Sequence, residues 1–221
     1  MVNVEQTSGI AGASPVEETA HWPTEHASPQ ALRVSVACAE ELLQGSGWAW
    51  GHVQQVARLA VQLFDQTAAL HNLPGSARPV LQAGALGHDI GYPHDPKRHH
   101  KESFRRLRKQ LRPLVGAELA TMIACVARYH RKALPKPRHA GFRDLSEGAR
   151  MTVERLAALL RIADGLDRAH LQRVQQTQSH ITPVRWQLVA VGAGETELWG
   201  AERKANLAER AFGRPVEIVA D

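Results

Sequence analysis

The residues best equipped for chemistry are the adjacent His88 and Asp89, which stand where the apolar run Ala85-Leu86 gives way to Gly91 and Pro93. An imidazole and a carboxylate side by side at a helix end can turn together into a cleft. Nitrogen with carboxylate oxygen suits iron, manganese, zinc or nickel, and no Cys pair lies near them to build a thiolate zinc site. A single His-Asp doublet is ordinarily structural, but further groups accompany this one. His52, one of the neighbours His99 and His100, then His130 and Asp164 each fall on or beside an expected helix, so the set reads H, HD, H, H, D along the chain.

Positioning such a set requires helices that end at a common place. Ser28-Pro29 supplies an N-cap followed by proline at the first helical position, and Leu32, Val36, Ala39 and Leu43 recur at helical spacing until Gly45-Ser46-Gly47. A second helix starts at Trp50. It carries Val53, Val56, Leu59, Ala60 and Leu63, with His52 on the inward stripe, and runs to about His71, itself read as a helix-end histidine favourable to the dipole. A third, over 78–88, delivers His88-Asp89, and Pro93 and Pro96 fix the course of the return to a basic helix at His99-His100. Pro113 is expected to open the helix that leads to His130. From 144–147 a further helix begins, with Val153, Leu156, Leu159, Leu160, Ala163 and Leu166 as its stripe and Asp164 beside it. The bland role for Asp164 is an i,i+4 ion pair with Arg168, and both roles hold if Asp167 serves a neighbouring arginine instead. Beyond 171 the pattern changes. Residues 184–189 alternate like a strand, 195–199 are expected to pair with them across Gly192-Ala193-Gly194, 202–212 read as helix and 216–219 as a last strand.

Composition narrows the function classes. The chain has 221 residues, 43% of them hydrophobic, enough for a sizeable core. No apolar run approaches the roughly 18–20 residues that span a bilayer, and no basic-then-apolar leader opens the sequence, so no membrane partner and a cytoplasmic location are expected. Cys38 and Cys125 lie in apolar helical patterns and read as reduced packing residues. The net charge of +5 points to an anionic partner, and the segments 97–112 and 128–138 hold thirteen of the 27 Lys and Arg. Of these, Lys101, Arg128, Arg131, Lys132 and Lys136 flank the candidate histidines and are the ones expected to grip phosphate; Arg105, Arg106, Arg108, Lys109 and Arg112 read equally well as a solvated face. Few aromatics interleave with these charges, which disfavours a nucleic-acid partner. Gly192-x-Gly194 makes no nucleotide loop, because the next required glycine is Glu197.

The ordered set His52, His88-Asp89, His99/His100, His130 and Asp164 resembles that of the HD phosphohydrolase superfamily. More closely, His99-His100-Lys101-Glu102-Ser103, the run from Ala127 to Lys136 with Tyr129-His130-Arg131-Lys132 at its centre, and Leu159-Leu160-Arg161-Ile162-Ala163-Asp164-Gly165-Leu166-Asp167-Arg168 resemble the C-terminal half of the exopolyphosphatase/guanosine pentaphosphate phosphatase family. The likeness covers about 30–219, and the actin-like catalytic domains of that family have no counterpart here. It implies a mainly α fold, an HD-type helical bundle at 29–171 and a small α+β subdomain at 172–221; residues 1–28, rich in Ser, Thr, Ala, Gly, Pro and Glu without periodicity, are expected to be a disordered tail. It also implies metal ligation by His52, His88, Asp89, His99, His130 and Asp164 to one or two divalent ions, manganese or iron first, with nickel, zinc and magnesium also compatible. Ser103, four residues after His99, makes His99 the ligand by analogy, since a small residue there lets the helix pack close; His100 is then left to touch substrate. Asp89, His100 and Lys101 would be the catalytic groups. Two readings follow from the resemblance: a metal-dependent phosphohydrolase acting on a nucleotide, guanosine polyphosphate or polyphosphate-like anion, or a non-catalytic polyphosphate-binding module. A homodimer is compatible with either.

Overall fold

A computed structural model describes residues 28–221; the tail expected at 1–28 lies outside them except for Ser28. Ser28 Oγ accepts the Ala31 N–H at 3.1 Å and Pro29 occupies the first turn of α1 (Pro29–Ser46), which ends on Gly47 at φ 63°. Then follow α2 (Trp50–Gln66), the single turn α3 (Ala68–His71), α4 (Ala77–Leu86), α5 (His99–Val115), α6 (Ala117–Arg128), a 3-10 turn at Phe142–Asp144, and α7 (Glu147–Gly165), N-capped by Ser146. The fold is mainly helical, with a small sheet at its C-terminal end. No helix among the described residues is long and apolar enough to cross a membrane.

α7 is central. It packs against α2 and α6 on the bundle side and against the later helices α8 (Glu195–Glu202) and α9 (Asn206–Phe212) on the other. Residues 156–163 of α7 are accordingly buried without a break, so its apolar stripe widens to the whole circumference. Leu119 to Ala127 of α6 are buried in the same way. Cys125 lies in this layer, where burial pushes its thiol up to about 12; Cys38 is half-buried, and both are free.

Several sequence expectations need correction. Pro113 does not open a helix: it sits in the last turn of α5, where one lost backbone bond is tolerated, and the break falls at Gly116, whose φ of 85° ends the run. The third helix stops at Leu86, so His88-Asp89 occupy the turns beyond it. The segment 195–199 is helical rather than a strand. Gly194 precedes it in extended conformation, Glu195 and Glu197 are acids in its first turn, and Glu197 Oε2 accepts the Gly194 N–H at 3.1 Å. The expected helix 202–212 divides at 203–205 into the end of α8 and the start of α9. The sheet instead runs β1 (Gln176–Ile181), β2 (Trp186–Val191), β3 (Val216–Ala220), antiparallel then parallel, with Ile181 opposite Trp186 and Trp186 opposite Val216. On β2, Trp186, Leu188 and Ala190 face the core and the residues between them do not.

His71 is also corrected. It is buried, its Nε2 donates to Phe64 O at 2.9 Å and its Nδ1 accepts the Leu73 N–H at 3.0 Å, so the neutral ring serves as a two-sided cap. Burial lowers its pKa, which is the opposite of a charged dipole partner.

Candidate metal and phosphate site

Five helix ends converge on one cavity: the start of α2 with His52, the turn after α4 with Asp89 and, fully buried beside it, His88, the start of α5 with His99, the turn after α6 with His130, and the last turn of α7 with Asp164. Close approach of α5 depends on two small residues. A side chain on Gly91 would come within 2.6 Å of His99 O and Ser103 N, and the Gly91 N–H donates to Ser103 Oγ at 3.0 Å. That contact places His99, not His100, in the cavity.

All four imidazoles are held through Nδ1. His88 meets Ala85 O at 2.6 Å, His99 meets Pro96 O at 2.9 Å, His130 meets Ala127 O at 2.6 Å, and His52 meets Asp167 Oδ2 at 2.8 Å. Each of these partners is an acceptor, so a proton belongs on every Nδ1, and in the neutral form of His88, His99 and His130 the Nε2 lone pair is left toward Asp89. There Asp89 Oδ1 lies 3.2 Å from His99 Nε2 and 3.5 Å from His130 Nε2, Asp89 Oδ2 lies 3.8 Å from His88 Nε2, and the Nε2 atoms of His99 and His130 are 3.1 Å apart. Lone pairs and a carboxylate thus crowd together without a proton between them. His88 Nε2 and Asp89 Oδ1 are buried and lack a hydrogen-bond partner among the described residues, although a carboxylate in such a place normally finds one. A cation would satisfy them. Two sets have donor atoms within 4.8 Å of one another, His52-His88-Asp89 and Asp89-His99-His130, and they share Asp89.

Electrostatics agree with donor rings at two positions. Burial lowers His88 and takes His130 well below its ordinary value, leaving both neutral. Burial also opposes charge on His52, but hydrogen bonds to Asp164 and Asp167 outweigh it and raise that ring to about 9 in the protein alone. Asp164 belongs to neither donor set. Its Oδ1 is 3.6 Å from His52 Nε2, its Oδ2 is ion-paired with Lys204, and despite burial that ammonium holds its carboxyl well below the usual range. The bland expectation of an Asp164–Arg168 pair is therefore replaced by a pair with Lys204, and Asp167 serves His52 rather than an arginine.

The cavity measures about 260 Å³ and is lined also by Trp48, Tyr92, Arg131, Arg168, His170 and Lys204. Trp48 stacks on Tyr92 with ring centres 4.0 Å apart, and His170 lies flat on His52 at 3.7 Å. His170 and Gln172 have left-handed backbones, φ 58° and 51°, held there because the Gln172 N–H donates to Asp167 Oδ1 at 2.7 Å. Beside it opens a larger chamber, about 520 Å³, walled by Arg131, Lys132, Arg161, Arg168, Arg203 and Lys204 with no carboxylate among its lining residues. The chain matches the family description "Ppx/GppA phosphatase, domain III" over residues 49–191. It belongs to that family.

Comparison with curated proteins finds no match. Within this Ppx/GppA domain III chain, His52, His88, Asp89, His99, His130 and Asp164 come together, and Arg131 and Lys132 reach the cationic chamber. Lys101, Arg128 and Lys136 line neither cavity. Arg128 instead donates to Ala140 O at 2.9 Å and covers the rings of Phe104 and Tyr129. His100 is turned edge-on to His99, and burial together with Arg131 depresses it to about 4. Sequence reasoning missed Asp167, His170, Arg203 and Lys204 as members of the site. The only sign of Asp167 was a second carboxylate three residues after Asp164, and that of Lys204 a basic pair far downstream.

Proposed function

We propose that this chain is an HD-type metal-dependent phosphohydrolase acting on a phosphate ester or anhydride, with a nucleotide, guanosine polyphosphate or polyphosphate-like anion as substrate. The observation that carries the reading is the tethering of four imidazoles through Nδ1, which sets the Nε2 atoms of His88, His99 and His130 within 3.8 Å of Asp89 and leaves His52 Nε2 beside Asp164. Metal-ligating histidines characteristically give their other ring N–H to a carbonyl or carboxylate in this way. Membership of the Ppx/GppA family supports a phosphorylated ligand.

His52, His88 and Asp89 would hold one divalent ion and Asp89, His99 and His130 a second, with manganese or iron suited to the mixed nitrogen and oxygen donors. A divalent ion supplies Lewis acidity and brings the pKa of water from 15.7 toward about 7. Arg131, Arg168 and Lys204 border both cavities, so they meet a phosphoryl group at the donor cluster and oppose the charge spread over its oxygens. Lys132 and Arg203 take the remainder of a longer anion. The Trp48–Tyr92 stack forms part of the wall of the cluster's cavity.

A phosphate-release screen tests this. Manganese-loaded protein should release phosphate from at least one of the nucleoside mono-, di- and triphosphates, guanosine tetraphosphate and tripolyphosphate, and His88→Ala should abolish the release. The six cations of the larger chamber favour a second reading, a non-catalytic polyphosphate-binding module. No release from any of these compounds, with micromolar or tighter binding of long polyphosphate, would replace the first reading with the second.

A further inference from the structure

Among the described residues, Lys204 is the one Lys or Arg that is ion-paired with Asp164 and also lines both cavities. It comes from a segment 40 positions after Asp164, and close helix packing brings it there. Gly165, the residue after Asp164, and Gly200 press α8 onto the end of α7: a side chain on Gly165 would come within 2.5 Å of Ala201 Cα, and one on Gly200 within 2.5 Å of Gly165 O. The buried Arg161 then fixes the α8–α9 turn, donating from Nε to Lys204 O at 3.1 Å and from Nη2 to Asn206 Oδ1 at 2.8 Å.

Resting on the metal reading above, we infer that Lys204 is an exchangeable counter-ion: its ammonium neutralises Asp164 until a divalent cation takes that carboxylate, and it then serves a phosphoryl group at the junction of the two cavities. The charges require such an exchange. A mostly buried ammonium that loses its carboxylate needs another anion, because leaving it unpaired is costly. The adjoining chamber has no carboxylate among its lining residues, so the anion must arrive with the ligand. Asp164, lying outside both three-residue donor sets, is the carboxylate that can change partners without dismantling either. Cation and polyanion therefore each take one member of the same ion pair, and the binding of either favours the other.

Metal-stripped protein titrated calorimetrically with Mn²⁺, then with tripolyphosphate in the presence of saturating Mn²⁺, tests the exchange. Lys204→Met should bind Mn²⁺ about tenfold more tightly than wild type, since the ion no longer displaces an ammonium, and should bind tripolyphosphate about tenfold more weakly; couplings of this size are ordinary. Lys204→Gln, which keeps a hydrogen-bonding group against Asp164, should shift both affinities the same ways if Lys204→Met does not fold, and Lys204→Arg should restore both toward wild type. The gain in Mn²⁺ affinity should vanish when Asp164→Asn is combined with Lys204→Met. Equal or weaker Mn²⁺ binding by the folded Lys204 variants, with a lowered melting temperature, would make the pair a purely structural tie and overturn the inference. Absence of Mn²⁺ binding in wild type and variants alike would sink the metal reading itself.

Discussion

The histidine-lined cavity and the cationic chamber beside it share Arg131, Arg168 and Lys204, yet their side chains are held in different ways. In the first, short side chains leave helix ends, and each ring is pinned by an acceptor one turn away or, for His52, by a buried carboxylate. In the second, long side chains come from the loop after α6, from α7 and the turn beyond it, and from the α8–α9 turn, and all but the buried Arg161 are partly or fully exposed. The difference teaches that the cluster is built for fixed donor geometry and the chamber for charge. A perturbation of a tether should act on the first and spare the second, and loss of a cation should do the reverse.

The sharpest way to break that comparison is Asp167→Asn. An amide can turn its NH₂ toward His52 Nδ1, moving the ring proton to Nε2 and removing that donor from the cavity. Outer-shell changes of this kind typically cost about 10–100-fold in metal affinity. Mn²⁺ binding should weaken by that order, while tripolyphosphate binding to the metal-free protein stays within about twofold, both read by calorimetry. A change of similar size in both would show that the cavities are not built independently.

A converse, smaller effect is expected from Arg131→Ala combined with Lys132→Ala. Tripolyphosphate affinity should fall about tenfold and lose part of its salt dependence, since partly exposed charges are screened over about 8–10 Å, while Mn²⁺ binding remains close to wild type. If the exposed Arg105/Arg106 face proved the sensitive one and the double variant neutral, the anion site would be elsewhere on the surface.

The smallest effect concerns a histidine that resembles the cluster's in its tethering but stands outside it. His71 is buried and hydrogen-bonded on both nitrogens as a neutral ring, and burial lowers its pKa below 6.5. Its folded form thus binds a proton less readily than the unfolded chain does, so its stabilising contribution is present above pH 6.5 and is lost as pH falls below it. Chemical denaturation between pH 7.5 and 5 should show a shallower decline for His71→Gln than for wild type. Identical slopes would contradict the neutral cap.

What could be read in the sequence follows the same division. His52, His88, Asp89 and His130 each sit at the end of, or on, an apolar helical stripe, so local periodicity brings them to one end of a bundle, whereas His99 was separated from His100 by the family resemblance. Nothing local distinguishes Asp167 from a surface carboxylate; it becomes an orienting group only once His52, 115 positions earlier, lies against it. Lys204 was hidden for a related reason, since the Gly165–Gly200 contact that delivers it leaves no pattern in either segment. Lys101, Arg128 and Lys136 were chosen for nearness in sequence to a histidine, but Lys101 stands two positions along α5 from His99 and so points to another side of the helix, Arg128 is turned to Ala140 O, and Lys136 lies in irregular chain after α6. The sheet was misread because β1, Gln-Thr-Gln-Ser-His-Ile, carries little apolar alternation, whereas the acidic first turn of α8 was the better guide to 195–199.

The central claim, that the tethered imidazoles and Asp89 form a divalent-metal site, is tested most directly by metal content. Elemental analysis of protein purified without chelators or a nickel column should find at least one transition-metal ion per chain in wild type, and most of it should be lost from folded Asp89→Ala, whose carboxylate both donor sets share. Full metal content in the Asp89 variant would contradict the account.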